Sequence, residues 1–226
     1  MKQLIIFGAN GALGSGVTDV LIQKDFDKVY VVDRRGTGFA KENIISLQLS
    51  DATNPEEVNG LFKKIEFNPG DEIFLFSTIG GFLGGKSLKE TSYNEWEKMM
   101  KLNLDSAFLI SKYFLSNVPE GATGSLLFTS AFSSFSFEEN KIAYNLSKAG
   151  LNYLVQSLSS EIFPKSFGIN AIAPFILDTP ANREWMDDQS QLVSPGEIGE
   201  LIFSIFKNYR ILSGNIIKLR GTILAK

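Results

Sequence analysis

Seven short runs of the chain are apolar at nearly every position: "LIIFG" (residues 4–8), "KVYVVD" (28–33), "IISLQL" (44–49), "EIFLFS" (72–77), "GSLLFTS" (124–130), "GINAIA" (168–173) and "GNIIKL" (214–219). A strand exposed on one face alternates apolar with polar residues. Runs without that alternation predict strands covered on both faces, as in a parallel sheet. Between them, residues 14–24, 55–65, 92–117, 144–163 and 195–208 carry apolar positions at helical spacing. The last of these opens with "SPGE", a capping Ser followed by Pro at the first helical position. Strand–helix alternation of this kind predicts an α/β fold: one domain over residues 1–226, a doubly wound parallel sheet of about seven strands with helices on both faces. Most of the 19 Phe residues, including Phe7, Phe74, Phe76 and Phe128, fall on predicted strands and are expected in the core.

Composition narrows the function classes. A chain with 44% apolar and 21% charged residues is an ordinary globular one. Its net charge of −3, with no basic run, gives no general attraction for nucleic acid. No apolar run reaches the roughly 18 residues that span a bilayer, and "QLIIFGAN" turns glycine-rich too soon for a signal peptide. A cytoplasmic protein with neither a membrane nor a nucleic-acid partner is expected. The chain has no Cys, which excludes disulfides, thiolate nucleophiles and thiolate-bound zinc, and no metal site is expected. It also has no His, so acid–base chemistry near neutral pH falls to a carboxylate, a Lys, a Tyr or a cofactor.

The first candidate site is "FGANGALGSG", between the first predicted strand and the first helix. Gly8, Gly11 and Gly14, with Asn10, Ala12 and Leu13 between them, let the backbone turn sharply and approach a pyrophosphate at a helix N-terminus. Asp33 ends the second strand 19 residues after Gly14. A carboxylate there accepts hydrogen bonds from the adenosine ribose and repels a 2′-phosphate, which favours NAD(H). Arg34 and Arg35 follow it and leave NADP(H) possible, since a guanidinium pairs with a 2′-phosphate or stacks on adenine. Asp51 has two readings: it accepts from the adenine amino group, or it caps the helix beginning near Pro55.

The second is "YNLSK", residues 144–148. Tyr144 and Lys148 are one turn apart on a helix and share a face. A nearby ammonium stabilises phenolate and lowers a tyrosine pKa from about 10, and the same Lys is placed to hold the nicotinamide ribose. A Tyr and a Lys four apart are also common on solvated helix faces, so the pair gains meaning only beside the glycine turn.

That combination resembles the short-chain dehydrogenase/reductase family, and the resemblance covers nearly the whole chain. The family's Tyr-x-x-x-Lys matches Tyr144 and Lys148. Its helix Asn, seven residues after a Trp, matches Asn103 in "WEKMMKLN", and its Asn-x-x-x-Pro segment matches Asn170 and Pro174 in "NAIAPFILDTP". The resemblance implies that Tyr144 passes a proton to or from the substrate, that Lys148 lowers its pKa, that Asn103 supports a water relay behind Lys148, and that Thr179 meets the nicotinamide carboxamide. Where the family has an active-site Ser, this chain has Ala131, flanked by Ser130 and Ser133. Ser130 is one residue out of register and is expected to point elsewhere. "GALGS", "GGFLGG", Ala131 and "LDTPANREWM" together are similar to the dihydropteridine reductase branch, which implies NADH-dependent reduction of a quinonoid dihydropterin.

On the substrate side, Phe82 is expected at the carboxyl end of the fourth strand, either stacking on a planar ring or packing under a loop. Residues 179–194, with Trp185 and Met186, read as a short helical lid or an oligomer contact. Residues 92–117 and 144–163 correspond to helices that pair across a two-fold axis in the family, implying a homodimer or homotetramer. The expected function is reduction of a planar conjugated small molecule by reduced nicotinamide. The alternatives are a carbonyl or alcohol reductase that recruits Ser130 or Ser133, and a non-catalytic dinucleotide sensor, against which the presence of both Tyr144 and Lys148 argues.

Overall fold

All eight residues of the strand Phe167–Pro174 are buried, as a run apolar at every position but Asn170 predicts. In the computed structural model, which describes residues 1–163 and 166–221, the strands are β1 (Lys2–Phe7), β2 (Lys28–Asp33), β3 (Ile44–Gln48), β4 (Glu72–Ser77), β5 (Thr123–Thr129), β6 (Phe167–Pro174), β7 (Ile176–Leu177), β8 (Leu192–Val193) and β9 (Ile216–Leu219). Seven of them form one parallel sheet in the order β3-β2-β1-β4-β5-β6-β9. Every predicted strand is present, and the order reverses between β1 and β4. That reversal opens a crevice at the carboxyl ends of the two strands, where ligands bind in sheets of this type.

The helices are α1 (Ala12–Leu21), α2 (Pro55–Phe62), α3 (Tyr93–Met100), α4 (Ser106–Asn117), α5 (Ile142–Ile162), α6 (Pro180–Arg183) and α7 (Pro195–Lys207). Alternate residues of each strand feed opposite layers. Ile5 and Phe7 of β1 join Leu61, Phe114 and Leu151 from α2, α4 and α5. Leu4 and Ile6 join Val17, Ile202 and Phe206 from α1 and α7. Polar caps set the helix starts: Asn54 accepts from the amides of Glu56 and Glu57 ahead of α2, and Ser92 and Glu95 form a reciprocal capping box at α3.

One expected helix is divided. Residues 92–117 form α3 and α4 with a π turn, Lys101–Asp105, between them. The wider turn carries Asn103, 1% exposed, into the interior, and such turns recur at functional sites. The expected lid is also less helical than its spacing suggested. Residues 178–191 leave and rejoin the body through the paired β7 and β8, and hold only the single turn α6 and a 3₁₀ turn at Gln189–Gln191. Among the described residues no helix is long and apolar enough to cross a membrane.

Candidate active site

The glycine turn sits at the β1/β4 reversal. Gly8 has φ of 77°, in the left-handed region, and its amide donates to the Val32 carbonyl at 2.8 Å. A Cβ on Gly8 would collide with Thr78 Oγ1, and one on Gly14 with the Gly8 carbonyl oxygen. The first turn of α1 therefore rests directly on the loop before it. Ser15 donates back to Gly11, which leaves the amides of Ala12, Leu13 and Gly14 without intrahelical acceptors and free to meet an anion. The Leu13 side chain is packed in the core, so only its backbone serves the site.

A cleft of about 560 Å³ opens beside this turn and brings together the expected Gly8, Asn10, Gly11, Asp33, Arg34 and Asp51. Arg35, Pro174 and Thr179 do not line it, and neither do Asn103, Tyr144 and Lys148. Asp33 lines the cleft with Oδ2 accepting from the Asn10 amide at 3.0 Å and Oδ1 from the Arg35 amide at 3.5 Å. The capping role considered for Asp51 is corrected: Asn54 caps α2, while Asp51 Oδ1 accepts from the amide and hydroxyl of Thr53. Thr78, Ile79 and Gly80 also line the cleft and were missed from the sequence. The signal for them was their place just past β4, at the reversal.

Tyr144 and Lys148 lie in the first two turns of α5, and the pair is not on a solvated face. Lys148 is 4% exposed and donates from Nζ to the Thr129 carbonyl at 2.7 Å. A Cβ on Gly80 would fall within 2.6 Å of Asn103 Oδ1 and 3.0 Å of Lys148 Nζ, so Gly80 leaves room for both to converge. Asn103 accepts from the Gly81 amide at 2.9 Å and donates to the Gly81 carbonyl and to Ser147 Oγ. Ser147 in turn donates to the Tyr144 carbonyl at 2.7 Å. One buried amide thus ties the segment after β4 to the start of α5.

The electrostatics differ from expectation. Burial pushes the Tyr144 phenol up to about 12, the Glu138 carboxylate adding to the rise, so the anticipated depression by Lys148 is not present. The physical reason is desolvation: phenolate loses more by leaving water than it regains here. The same burial lowers the Lys148 ammonium to about 8. Tyr144 is therefore a neutral proton donor over the whole working range, and Lys148 is the group that changes charge. The ammonium is held below pH 8 and lost above it. If that charge is needed, the rate of reduction falls with rising pH through an alkaline limb near 8, well below the phenol's own titration. A pH profile of kcat/KM tests this, and a flat profile to pH 10 would show that the Lys148 charge is not required.

Phe82 is 65% exposed and meets the Tyr144 ring edge-on, centroids 5.0 Å apart, so it stands beside the candidate proton donor and does not pack beneath a loop. Ala131 is buried at the start of a 3₁₀ turn, Phe132–Phe135. Ser130 Oγ donates to Asn152 Oδ1 at 2.5 Å, two turns along α5 from Tyr144, and Ser133 Oγ donates to Asn145. Each hydroxyl is already committed. Pro174 ends β6, and Thr179 caps α6 by accepting from the Asn182 amide. Trp185 is 61% exposed and covers none of the cleft. On the helices expected to pair between copies, Phe108, Leu146 and Tyr153 are exposed.

The sheet order, the glycine turn at its reversal and the Tyr144–Lys148 pair, its Lys buried, define a Rossmann-type oxidoreductase. A family model described as "Enoyl-(Acyl carrier protein) reductase" matches residues 30–196, and the chain belongs to the short-chain dehydrogenase/reductase family. Among similar proteins, the 3-oxoacyl-[acyl-carrier-protein] reductase FabG of Buchnera aphidicola subsp. Baizongia pistaciae is 25% identical, with 97% of this chain and 96% of that protein covered. An uncharacterized oxidoreductase of Staphylococcus aureus strain USA300 is 20% identical over the same shares. In fold the chain is similar to ElxO with NADP bound, at TM-score 0.86, 22% identity and 96% of both chains. It is also similar to the aldohexose dehydrogenase of Thermoplasma acidophilum, at TM-score 0.79, 21% identity, 100% of this chain and 97% of that one.

Proposed function

We propose that the protein reduces a polarised C=O or C=N bond in a planar conjugated substrate such as a quinonoid dihydropterin, with Tyr144 as the proton donor. The observation that carries this reading is the edge-on pairing of the half-buried Tyr144 ring with the exposed ring of Phe82, beside an Ala131 that offers no hydroxyl. A conjugated acceptor spreads developing charge over its ring system and needs less help from a Ser than an isolated ketone does.

The residues suit a nicotinamide dinucleotide, which supplies the hydride when bound. The free amides of α1 would receive its pyrophosphate, Asp33 the adenosine ribose, Lys148 the nicotinamide ribose, and Pro174 and Thr179 the carboxamide side. Lys148 and Asn103 hold the segments that frame Tyr144, and the Tyr144 hydroxyl delivers its proton to the substrate heteroatom. Asp33 at the cleft wall favours NAD(H), with Arg34 beside it the counterweight. Asp33→Ser is expected to shift the NADPH-to-NADH specificity ratio upward by about tenfold or more, since it removes the charge that repels a 2′-phosphate.

A second reading, reduction of a 3-oxoacyl ketone, is favoured by the likeness to the Buchnera reductase. It requires Ser130 or Ser133 to give up its present partner on α5. The experiment is nicotinamide oxidation followed at its absorbance with quinonoid dihydropterin and with a 3-oxoacyl thioester as alternative acceptors. Faster turnover of the pterin supports the first reading, and turnover of the thioester alone overturns it in favour of the second. Cofactor binding without turnover of either leaves a dinucleotide sensor.

A further inference from the structure

The end of β9 carries two cations, each laid over a ring of the turn after β5, that no carboxylate among the described residues balances. Lys218 Nζ lies 4.1 Å from the ring centroid of Phe135, and Arg220 Cζ lies 4.9 Å from that of Phe132. Both side chains are exposed, and neither forms an ion pair among the described residues, whereas Arg183 and Arg210 each face a carboxylate. Two positions apart on an extended segment, they point to the same side.

Their position relates them to the active site. Phe132 directly follows Ala131 and meets Phe175 edge-on at 5.6 Å, and Phe175 directly follows Pro174. The Phe175 amide donates to the Leu219 carbonyl at 2.8 Å, which brings the end of β9 against the segment leading into 178–191. Beyond it, a Cβ on Gly221 would strike the Ser190 carbonyl oxygen. Ser133, in the same turn as Phe132, is bonded to Asn145, the neighbour of Tyr144. Arg220 thus stands on a wall shared by Ala131, by the exit of β6 and by the end of the 178–191 excursion.

A guanidinium laid over an aromatic face keeps its N–H edge free for a planar anion, with its position already restricted by the ring. We propose that Arg220, with Lys218 beside it, receives a carboxylate on the substrate, remote from the bond that is reduced. The inference rests on the planar-substrate reductase reading above and narrows it to a conjugated substrate that bears a carboxylate, which an unsubstituted quinonoid dihydropterin does not.

The test compares 3- and 4-formylbenzoate with their methyl esters as acceptors for wild type and Arg220→Met. Both members of each pair are planar and conjugated, and only one bears the anion. The acid-to-ester ratio of kcat/KM is expected to fall about tenfold or more in the variant, with the loss in the KM of the acid, and Arg220→Lys is expected to restore part of it. A ratio that stays within about twofold overturns the assignment. Should wild type reduce none of the four, the reductase reading fails on planar aldehydes. Calorimetric titration of 4-formylbenzoate then decides the anion site separately: heat lost in Arg220→Met sustains it, and heat that is absent or unchanged overturns it.

Discussion

Tyr144→Phe lowers kcat/KM for reduction by about a thousandfold while dinucleotide affinity stays within about twofold of wild type, the loss typical when a positioned proton donor is removed. The change deletes one oxygen and leaves the ring, so the edge-on contact with Phe82 at 5.0 Å survives. The Tyr144 hydroxyl makes no hydrogen bond to a described residue, so its loss orphans no buried partner and stability should hold. The Lys148–Thr129 and Asn103–Ser147 bonds are likewise untouched. Steady-state rates beside fluorescence titration of the cofactor separate the two effects. Surviving turnover would remove Tyr144 as proton donor, because no other described tyrosine is tied to this convergence of Lys148, Asn103 and Gly80.

Gly14→Ala breaks both the fold's entry and the dinucleotide site. In an ordinary helix this replacement stabilises by about 0.5–1 kcal/mol, since Ala loses less conformational freedom. Here the new Cβ meets the carbonyl oxygen and carbon of Gly8 and the carbonyl carbon of Ala9, all of them backbone. No side chain can swing aside, so α1 must lift from the turn, at a cost of about 1–3 kcal/mol. Lifting also withdraws the amides of Ala12 and Leu13 from the pyrophosphate position, and cofactor affinity should drop by about tenfold or more. Gly60→Ala is the control: Gly60 lies inside α2 with nothing within 4 Å of its added Cβ, and there the usual modest stabilisation is expected. Thermal unfolding and cofactor titration of the two variants test the contrast. A Gly14→Ala protein as stable and as competent as wild type would show that the close approach is not required.

The two predictions draw on different kinds of information. The Gly14 position was legible from local pattern, because a glycine triplet between an apolar run and an amphipathic one has few structural solutions. The role of Tyr144 was legible only in outline. Spacing put it on one helix face with Lys148, but the direction of its pKa came from the surroundings: burial by the elements packed on it, then the Glu138 carboxylate ahead of the helix.

By itself the sequence determined the seven strands, the N-cap of α7, the glycine turn and the register of Tyr144 with Lys148. These follow from periodicity and backbone sterics, which act over a few residues. Only the tertiary structure decided that Asn103 enters through a π turn, that Asn54 and not Asp51 caps α2, that Ser130 and Ser133 are held by Asn152 and Asn145, and that Arg220 rests on Phe132. Each of the last two brings together residues from separate elements. The cost of burying a charge or the partner of a hydroxyl depends on every element packed around it, and no window of sequence contains them all.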